Sequence, residues 1–100
     1  KLDLRGADLS NEGCSILAGF SQVTHLNLRK STVTDEGVKI LAGMSNLMSL
    51  NLSSTQVTDY GVGALVRFEK LKSLHLWGCQ ISQDRLQFLK NRLETVTITP

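Results

Sequence analysis

Apolar and polar residues recur along this chain in a unit of about 24 residues. A leucine–polar–leucine segment appears four times, at residues 2–4, 26–28, 50–52 and 74–76. Two leucines that flank one polar residue predict a short strand with a single buried face. Because the whole unit repeats in phase, the chain is predicted to be a stack of similar units rather than a globular fold with one central core.

A helix is predicted between successive strands. Its start is marked by Ser10, Thr34, Thr58 and Ser82, which are good N-cap residues, and an acidic residue follows within the first turn. In the first repeat the apolar helix face is predicted to comprise Cys14, Ile16, Leu17 and Phe20. Gly19 and Gly43 are expected to end their helices, whereas Arg67 at the equivalent place predicts a third helix about one residue longer.

Neither a short strand nor a short helix can bury its apolar side alone, so the units must stack and pair their strands in parallel. Strands lie ~4.8 Å apart and helix axes ~8–10 Å apart, which curves the stack with its strands on the concave side. The predicted fold is therefore an α/β solenoid of four repeats plus a fifth strand. The segments are approximately residues 1–22, 23–46, 47–70, 71–92 and 95–98.

The end of the chain departs from the regular spacing. Nine residues separate Leu65 from Leu74, whereas seven separate Leu89 from Val96. Val96-Thr97-Ile98 is therefore predicted as the fifth strand, after a tightened turn. The chain begins at Lys1 without a Met and stops at Pro100, so residues 1–100 are expected to be a single domain excerpted from a longer protein. The alternative, a complete small protein, would need polar capping units at both ends.

The pattern LxxLxLxxTxVTDxGVxxLAxMxxL resembles the leucine-rich repeat of the 24-residue kind, which occurs in F-box/leucine-rich-repeat proteins and in bacterial effectors with GALA-type repeats. The resemblance implies a right-handed horseshoe arc with a parallel sheet on its concave side and helices on its convex side. It also implies that a protein partner docks on the concave face. Ser31 and Thr55 replace the usual Asn of the family, and their hydroxyls are expected to bond to the loop backbone instead.

Three rows of side chains are predicted to leave the sheet on the concave side. The central row is Asp3, Asn27, Asn51, His75 and Thr97. The flanking row is Lys1, His25, Ser49, Ser73 and Thr95. The turn row, one step past each strand, is Arg5, Arg29, Ser53 and Trp77. The predicted partner-binding residues are Arg5, His25, Asn27, Arg29, Asn51, Ser53, His75 and Trp77.

Two features of the turn row suggest binding chemistry. Trp77, the only tryptophan, is a natural interface anchor, although its ring could instead fold over Gly78 and cover the edge of a repeat. Arg5 and Arg29, with Lys30 beside them, could hold a carboxylate or phosphate of a partner. Alternatively, Arg29 pairs with Asp3 or is simply solvated.

Catalytic and metal sites are not expected. His25 and His75 lie two repeats apart, roughly 10 Å by strand spacing, whereas zinc ligands all lie about 2 Å from one ion. No nucleophile-elbow motif or glycine-rich phosphate loop occurs, and Asp35 and Asp59 are interpreted as helix-capping residues. The sequence therefore predicts a non-enzymatic protein without cofactor or metal.

The composition of the chain does not favour nucleic acid or a membrane as its partner. The formal charge is +2 and the longest basic cluster is Arg29-Lys30, which does not favour nucleic acid as a partner. No apolar run approaches the ~20 residues of a membrane helix, so no membrane partner is predicted. Cys14 and Cys79 are each interpreted as small buried residues too far apart for a disulfide, and two free thiols favour an intracellular, cytoplasmic setting.

The predicted function is a protein–protein interaction scaffold that binds a partner on its concave face. One form of this hypothesis is the substrate-recognition part of an F-box-type ubiquitin ligase. The alternative is a structural or assembly scaffold, or a secreted bacterial-type effector, with no link to a ligase. An F-box-like helical module before the repeats would favour the first, and a coiled coil or a much longer repeat array would favour the second.

Overall fold

Five short parallel strands form one sheet in the computed structural model, which describes residues 1–100. The strands are β1 (Leu2–Asp3), β2 (His25–Asn27), β3 (Ser49–Asn51), β4 (Ser73–His75) and β5 (Thr97–Thr99). Their order in the sheet follows their order in the chain. Each strand is joined to the next through a helical segment, so the predicted α/β solenoid architecture is confirmed.

The connecting helices are α1 (Asn11–Ala18), α2 (Asp35–Leu41), α3 (Val62–Leu65) and α4 (Gln83–Arg92), and a 3-10 turn at Asp59–Gly61 precedes α3. The predicted caps are present: the Ser10 and Thr34 hydroxyls accept hydrogen bonds from the N–H groups of Gly13 and Gly37, at 3.1 and 3.4 Å. None of the helices has the length and apolar character needed to cross a lipid bilayer.

The prediction for helix length was wrong in the third repeat. Helix α3 ends at Leu65, the place equivalent to Leu41 at the end of α2, although Arg67 replaces the glycine. The helix that runs on is α4, which continues through Asn91 to Arg92. Loss of a C-terminal glycine therefore permits a longer helix but does not impose one, because packing decides where the last turn ends.

The predicted alignment of the fifth strand was also wrong, by two residues. Ile98, rather than Val96, pairs with Leu74, and Thr99 pairs with His75. Thr99 thus continues the central row in place of Thr97, and Thr97 takes the place predicted for Thr95 in the flanking row. A shift of two residues leaves the same side chains facing the core, so apolar alternation alone cannot distinguish the two alignments.

The core lies between the sheet and the helices and consists mainly of aliphatic side chains. In the middle repeats, Leu26, Leu50 and Leu74 are stacked in register and buried, as are the helix residues Leu41 and Leu65. Cys14 is fully buried among them, as predicted. Ile16 and Phe20, however, are 68% and 51% exposed and are not part of the buried helix face that the sequence predicts. Only Cys14 and Leu17 of α1 are buried.

The turn after each strand has the same unusual backbone. Gly6, Lys30, Ser54 and Gly78 occupy equivalent places, and all four have φ between 58° and 78°. Below this turn lie the short polar side chains that replace the family's asparagine. The Thr55 hydroxyl donates to the carbonyl of Leu52 at 2.7 Å, and Ser31 Oγ accepts from the N–H of Val33 at 3.4 Å. The predicted bonding of these hydroxyls to the loop backbone is therefore confirmed.

Candidate functional site

Three residues of the central row bond the end of their own strand to the turn that follows it. Asp3, Asn27 and Asn51 each use Oδ1 to accept a hydrogen bond from the backbone N–H two residues later, at 2.9–3.1 Å. This is the local bonding that aspartate and asparagine commonly make in turns. The Nδ2 groups of both asparagines make no hydrogen bond within the protein, so they are donors open to a partner. The sequence indicated that these residues face outwards but not that one side of each is already bonded.

His75 continues the central row without this bond. Neither ring nitrogen of His75 has a hydrogen-bond partner in the protein, and the ring is half-buried. His25 is exposed in the flanking row, where its Nδ1 lies 2.9 Å from the hydroxyl of Thr24. A hollow on the sheet is lined by Lys1, Leu2, Asp3, His25, Leu26, Asn27, Ser49, Asn51 and His75. Both histidines therefore border the same polar depression.

The cations of the turn row have different environments. The guanidinium of Arg5 binds the carboxylate of Asp3, with Nη2 2.9 Å from Oδ2, and this hydrogen-bonded partner lowers the pKa of Asp3. Of the two alternatives for Arg29, pairing with Asp3 does not occur, since Asp3 is occupied by its own repeat. Arg29 and Lys30 are exposed and form no salt bridge. Together with Arg5 and Gly6 they line a depression beside the sheet.

Ser53 is the predicted site residue that the structure does not place at the surface. It retains only 5% of its exposure, although it lies between the exposed side chains of Arg29 and Trp77 in the turn row. A serine side chain is too short to rise above the neighbouring turns. The expectation that Ser53 offers its side chain to a partner was therefore wrong.

Trp77 is 58% exposed, while its backbone is held firmly. Its carbonyl accepts a hydrogen bond from the N–H of Ser54 at 2.7 Å. The next residue, Gly78, has φ 78° and packs so closely on Ser54 that a Cβ atom at this place would lie 3.0 Å from the Ser54 hydroxyl. A tightly built turn thus presents a largely solvent-facing indole at the edge of a polar sheet.

Ionisable groups elsewhere serve the fold. No group of three or more His, Cys, Asp or Glu side chains comes close enough to hold a metal ion. Burial raises the pKa of the Cys14 thiol, and the Cys79 thiol lies 3.0 Å from the carbonyl oxygen of Leu52, to which it donates. Asp35 and Asp59 bond to the next repeat in addition to standing at helix starts. The chemistry left at the sheet surface is hydrogen bonding, charge pairing and aromatic contact.

One exposed aromatic was missed by the sequence analysis. Tyr60, in the 3-10 turn before α3, is 84% exposed. It stands where the other repeats have Glu12, Glu36 and Asp84, and this break in an otherwise acidic position is the signal that could have revealed it. Tyr60 belongs to the start of a helical segment rather than to the strand and turn rows.

Comparison with protein families agrees with the geometry. A model described as leucine rich repeat matches residues 17–81, and a second model of that description matches residues 70–95. The chain belongs to the leucine-rich repeat family. A search of curated proteins found no match. Leucine-rich repeat domains are generally protein-interaction scaffolds and typically non-catalytic, and repeat arrays of this kind use their extended sheet surface for binding.

Proposed function

We propose that this leucine-rich repeat domain is a scaffold that docks a protein partner on its sheet face, the predicted concave side. The observation that carries the proposal is the exposure of Trp77 on a rigid turn at the edge of a polar surface. Tryptophan is among the residues most enriched at the energetic centres of protein interfaces, because it buries a large area while losing little side-chain entropy.

The remaining contacts in this proposal are polar. Asn27 and Asn51 contribute their open Nδ2 donors, and His25 and His75 border the hollow beside them. Arg5 and Arg29 extend the surface along the turns. A preorganised face of this kind binds with little loss of conformational freedom, since its residues stand on strands and fixed turns.

The narrower form of the proposal is that the domain selects substrates for an F-box-type ubiquitin ligase inside the cell. Its support is the resemblance of the repeats to those of F-box proteins. The full-length sequence tests this form directly. An F-box-like helical module in the same protein would support it. A coiled coil, a longer repeat array or a bacterial secretion context in its place would favour an assembly scaffold or an effector.

Truncation of the indole tests the docking surface. We expect Trp77→Ala to weaken partner binding by ~2 kcal/mol, about 30-fold in Kd, because the variant loses the largest apolar contact of the sheet face. The measurement is affinity capture with the wild-type domain as bait, followed by titration of the captured protein by calorimetry.

Tyr60→Ala is the matched control, since Tyr60 is also an exposed aromatic but lies on the helical side. The proposal expects this variant to bind like the wild type. If a partner binds the wild type and both variants equally, or if only Tyr60→Ala weakens its binding, the docking surface lies elsewhere. Circular dichroism of both variants checks that folding is retained.

A further inference from the structure

The side chains of the turn row change from positively charged to aromatic along the sheet. It begins with Arg5, which forms the only salt bridge of the chain with Asp3. It continues with Arg29, which together with the adjacent Lys30 is exposed and has no acidic partner. It ends with Trp77, whose indole is more than half exposed. Uncompensated positive charge and an aromatic ring therefore stand on the same row, two repeats apart.

Ser53 lies between these two features, and the low surface above its short side chain is called the step. Its side chain is buried, so the surface falls between the larger side chains of Arg29 and Trp77. Beside the step, in the central row, Asn51 uses Oδ1 for the N–H of Ser53 and leaves Nδ2 free. Neighbouring strands are ~4.8 Å apart, so Arg29 and Trp77 are separated by about 10 Å across this step.

We propose that the turn row binds an extended acidic segment of a protein partner, with an Asp or Glu carboxylate on Arg29 and Lys30 and an apolar side chain, three residues away, on Trp77. The inference rests on the proposed function and specifies the partner's chemistry. The segment crosses the strands over the step at Ser53, where its backbone can approach closely. The free amide group of Asn51 donates to one of its carbonyls.

The spacing of three residues follows from chain geometry. In a β-strand, alternate side chains share a face at about 6.6 Å, and the next on that face lies about 13 Å away. Neither spacing matches a separation of about 10 Å. In the polyproline II helix, residues i and i+3 share a face and lie about 9.3 Å apart. This conformation also leaves the backbone carbonyls unpaired, so they can accept hydrogen bonds from a donor such as the Asn51 amide.

The charge of the site favours a short acidic peptide over a polyanion. Two uncommitted cations match one or two carboxylates, whereas nucleic acid binding gains most of its affinity from many phosphate contacts. The same two cations are too few to hold the domain on an anionic membrane, where each contributes only about 1 kcal/mol. The indole adds an apolar contact that is consistent with a protein segment.

The test uses the domain itself and its single tryptophan as the reporter. The probes are proline-rich peptides without Trp or Tyr that carry Glu at one position and Leu three residues later. Matched peptides replace Glu by Lys or place Leu one or five residues away. We expect the first peptide to change the Trp77 emission and to bind about tenfold more tightly than the matched peptides. Equal binding of all the peptides would overturn the proposal.

Charge reversal identifies the cation. Arg29→Glu should weaken the Glu peptide about tenfold and should restore binding of the Lys peptide. Lys39→Glu on helix α2 is the control, because Lys39 is also exposed and the change in net charge is identical. Equal losses in the two variants would mean that only net charge is sensed, and this result would overturn the proposal. Circular dichroism verifies that both variants are folded.

A displayed random peptide library separates this inference from the proposed function. Selected ligands that depend on Trp77 and Arg29 and share the acidic and apolar pair would support both. Ligands that depend on Trp77 but lack the acidic residue would overturn the inference and leave the docking function in place. Absence of any ligand for the sheet face would count against both. Phosphatidylserine vesicles or a duplex oligonucleotide that bound through Arg29 more tightly than the peptide would also overturn the inference.

Discussion

Two glycines, which have no side chain, allow neighbouring repeats to approach closely. Gly37 stands in the first turn of α2, where an added Cβ atom would lie 2.9 Å from Cys14 Sγ and 2.9 Å from Val33 Cγ2. Gly61 holds the equivalent place in the next repeat, and its added Cβ would lie 2.6 Å from Asp35 Oδ1. At Gly37 and Gly61 the absence of a side chain is therefore required by close packing against the preceding repeat, rather than by backbone conformation.

A methyl group at Gly37 measures the value of this close packing. We expect Gly37→Ala to lower the free energy of unfolding by about 1–3 kcal/mol, because the core around it must shift to accept the extra atom. Gly63→Ala is the matched control, since the Cβ at this helical glycine meets nothing within 4 Å. The control should raise stability by about 0.5–1 kcal/mol through helix propensity. Urea unfolding measures both, and a neutral Gly37→Ala would show that the repeats are less tightly packed there.

The identity of outward-facing residues could be predicted from the repeat, but their accessibility could not. The 24-residue period places Arg29, Ser53 and Trp77 in one row, and the structure agrees. The burial of Ser53 depends on the heights of its neighbours, which no local pattern encodes. The hydrogen bond from the Ser53 N–H to Asn51 Oδ1 likewise depends on the turn geometry, so the sequence predicts that the whole side chain is open to a partner.

At the level of elements, hydrogen bonds between the loops join neighbouring repeats in addition to the pairing of the strands. Asp35 Oδ1 accepts from the N–H of Thr58 at 2.7 Å, and Thr58 Oγ1 donates to Asp35 Oδ2 at 2.5 Å. One repeat further on, Asp59 Oδ1 accepts from the N–H of Ser82 at 2.8 Å. Each of these aspartates therefore ties the start of its own helical segment to the N-cap residue of the next.

Removal of one carboxylate tests this link between elements. Asp35→Ala should cost about 1–3 kcal/mol of unfolding free energy, because the part-buried N–H and hydroxyl of Thr58 both lose their acceptor. Glu36→Ala is the control, since Glu36 is an exposed acid in the same first turn and makes no such bond. It should cost only a few tenths of a kcal/mol, from the helix dipole. If urea unfolding gives the same loss of unfolding free energy for Asp35→Ala and Glu36→Ala, Asp35 contributes through the helix dipole alone.

The fifth strand illustrates which element properties a pattern can fix. Apolar alternation places a strand near Val96 and Ile98, and one is present at Thr97–Thr99. The alignment is set by backbone bonds that alternation does not reveal, such as those from Leu76 N–H to the Thr99 carbonyl and from Thr97 N–H to the Lys72 carbonyl. Ile98 lies 24 residues after Leu74, so the repeat period is kept in the last repeat and the predicted tightened turn is wrong.

Over the whole molecule, the two ends of the stack differ. At the first repeat, Ile16 and Phe20 are largely exposed. At the last helix, Phe88 lies between two guanidinium groups, with Arg85 4.2 Å and Arg92 4.8 Å from its ring centroid. Such cation–π contacts cover an aromatic face with polar groups. Periodicity treats every repeat alike, so it cannot predict these differences between equivalent repeats.

Two phenylalanines two repeats apart isolate the effect of position. Phe20 and Phe68 follow α1 and α3 at equivalent places, yet Phe20 is 51% exposed and Phe68 is 2% exposed. Phe68→Ala should cost about 3–5 kcal/mol, because it opens a cavity between packed repeats. Phe20→Ala should cost about 1 kcal/mol, since roughly half of its surface is already in water.

The measurement is urea unfolding of both variants, followed by circular dichroism. Similar slopes with denaturant would indicate that each variant still unfolds as one cooperative unit, so that the two free energies can be compared directly. In a stack where each repeat contacts only its neighbours, stability is a sum of repeat and interface terms. Within residues 1–100, Phe68 is packed between repeats and Phe20 is half exposed, so the smaller cost expected at Phe20 reflects its smaller buried surface. Equal costs at the two positions would contradict this description and would mean that Phe20 is packed as tightly as Phe68.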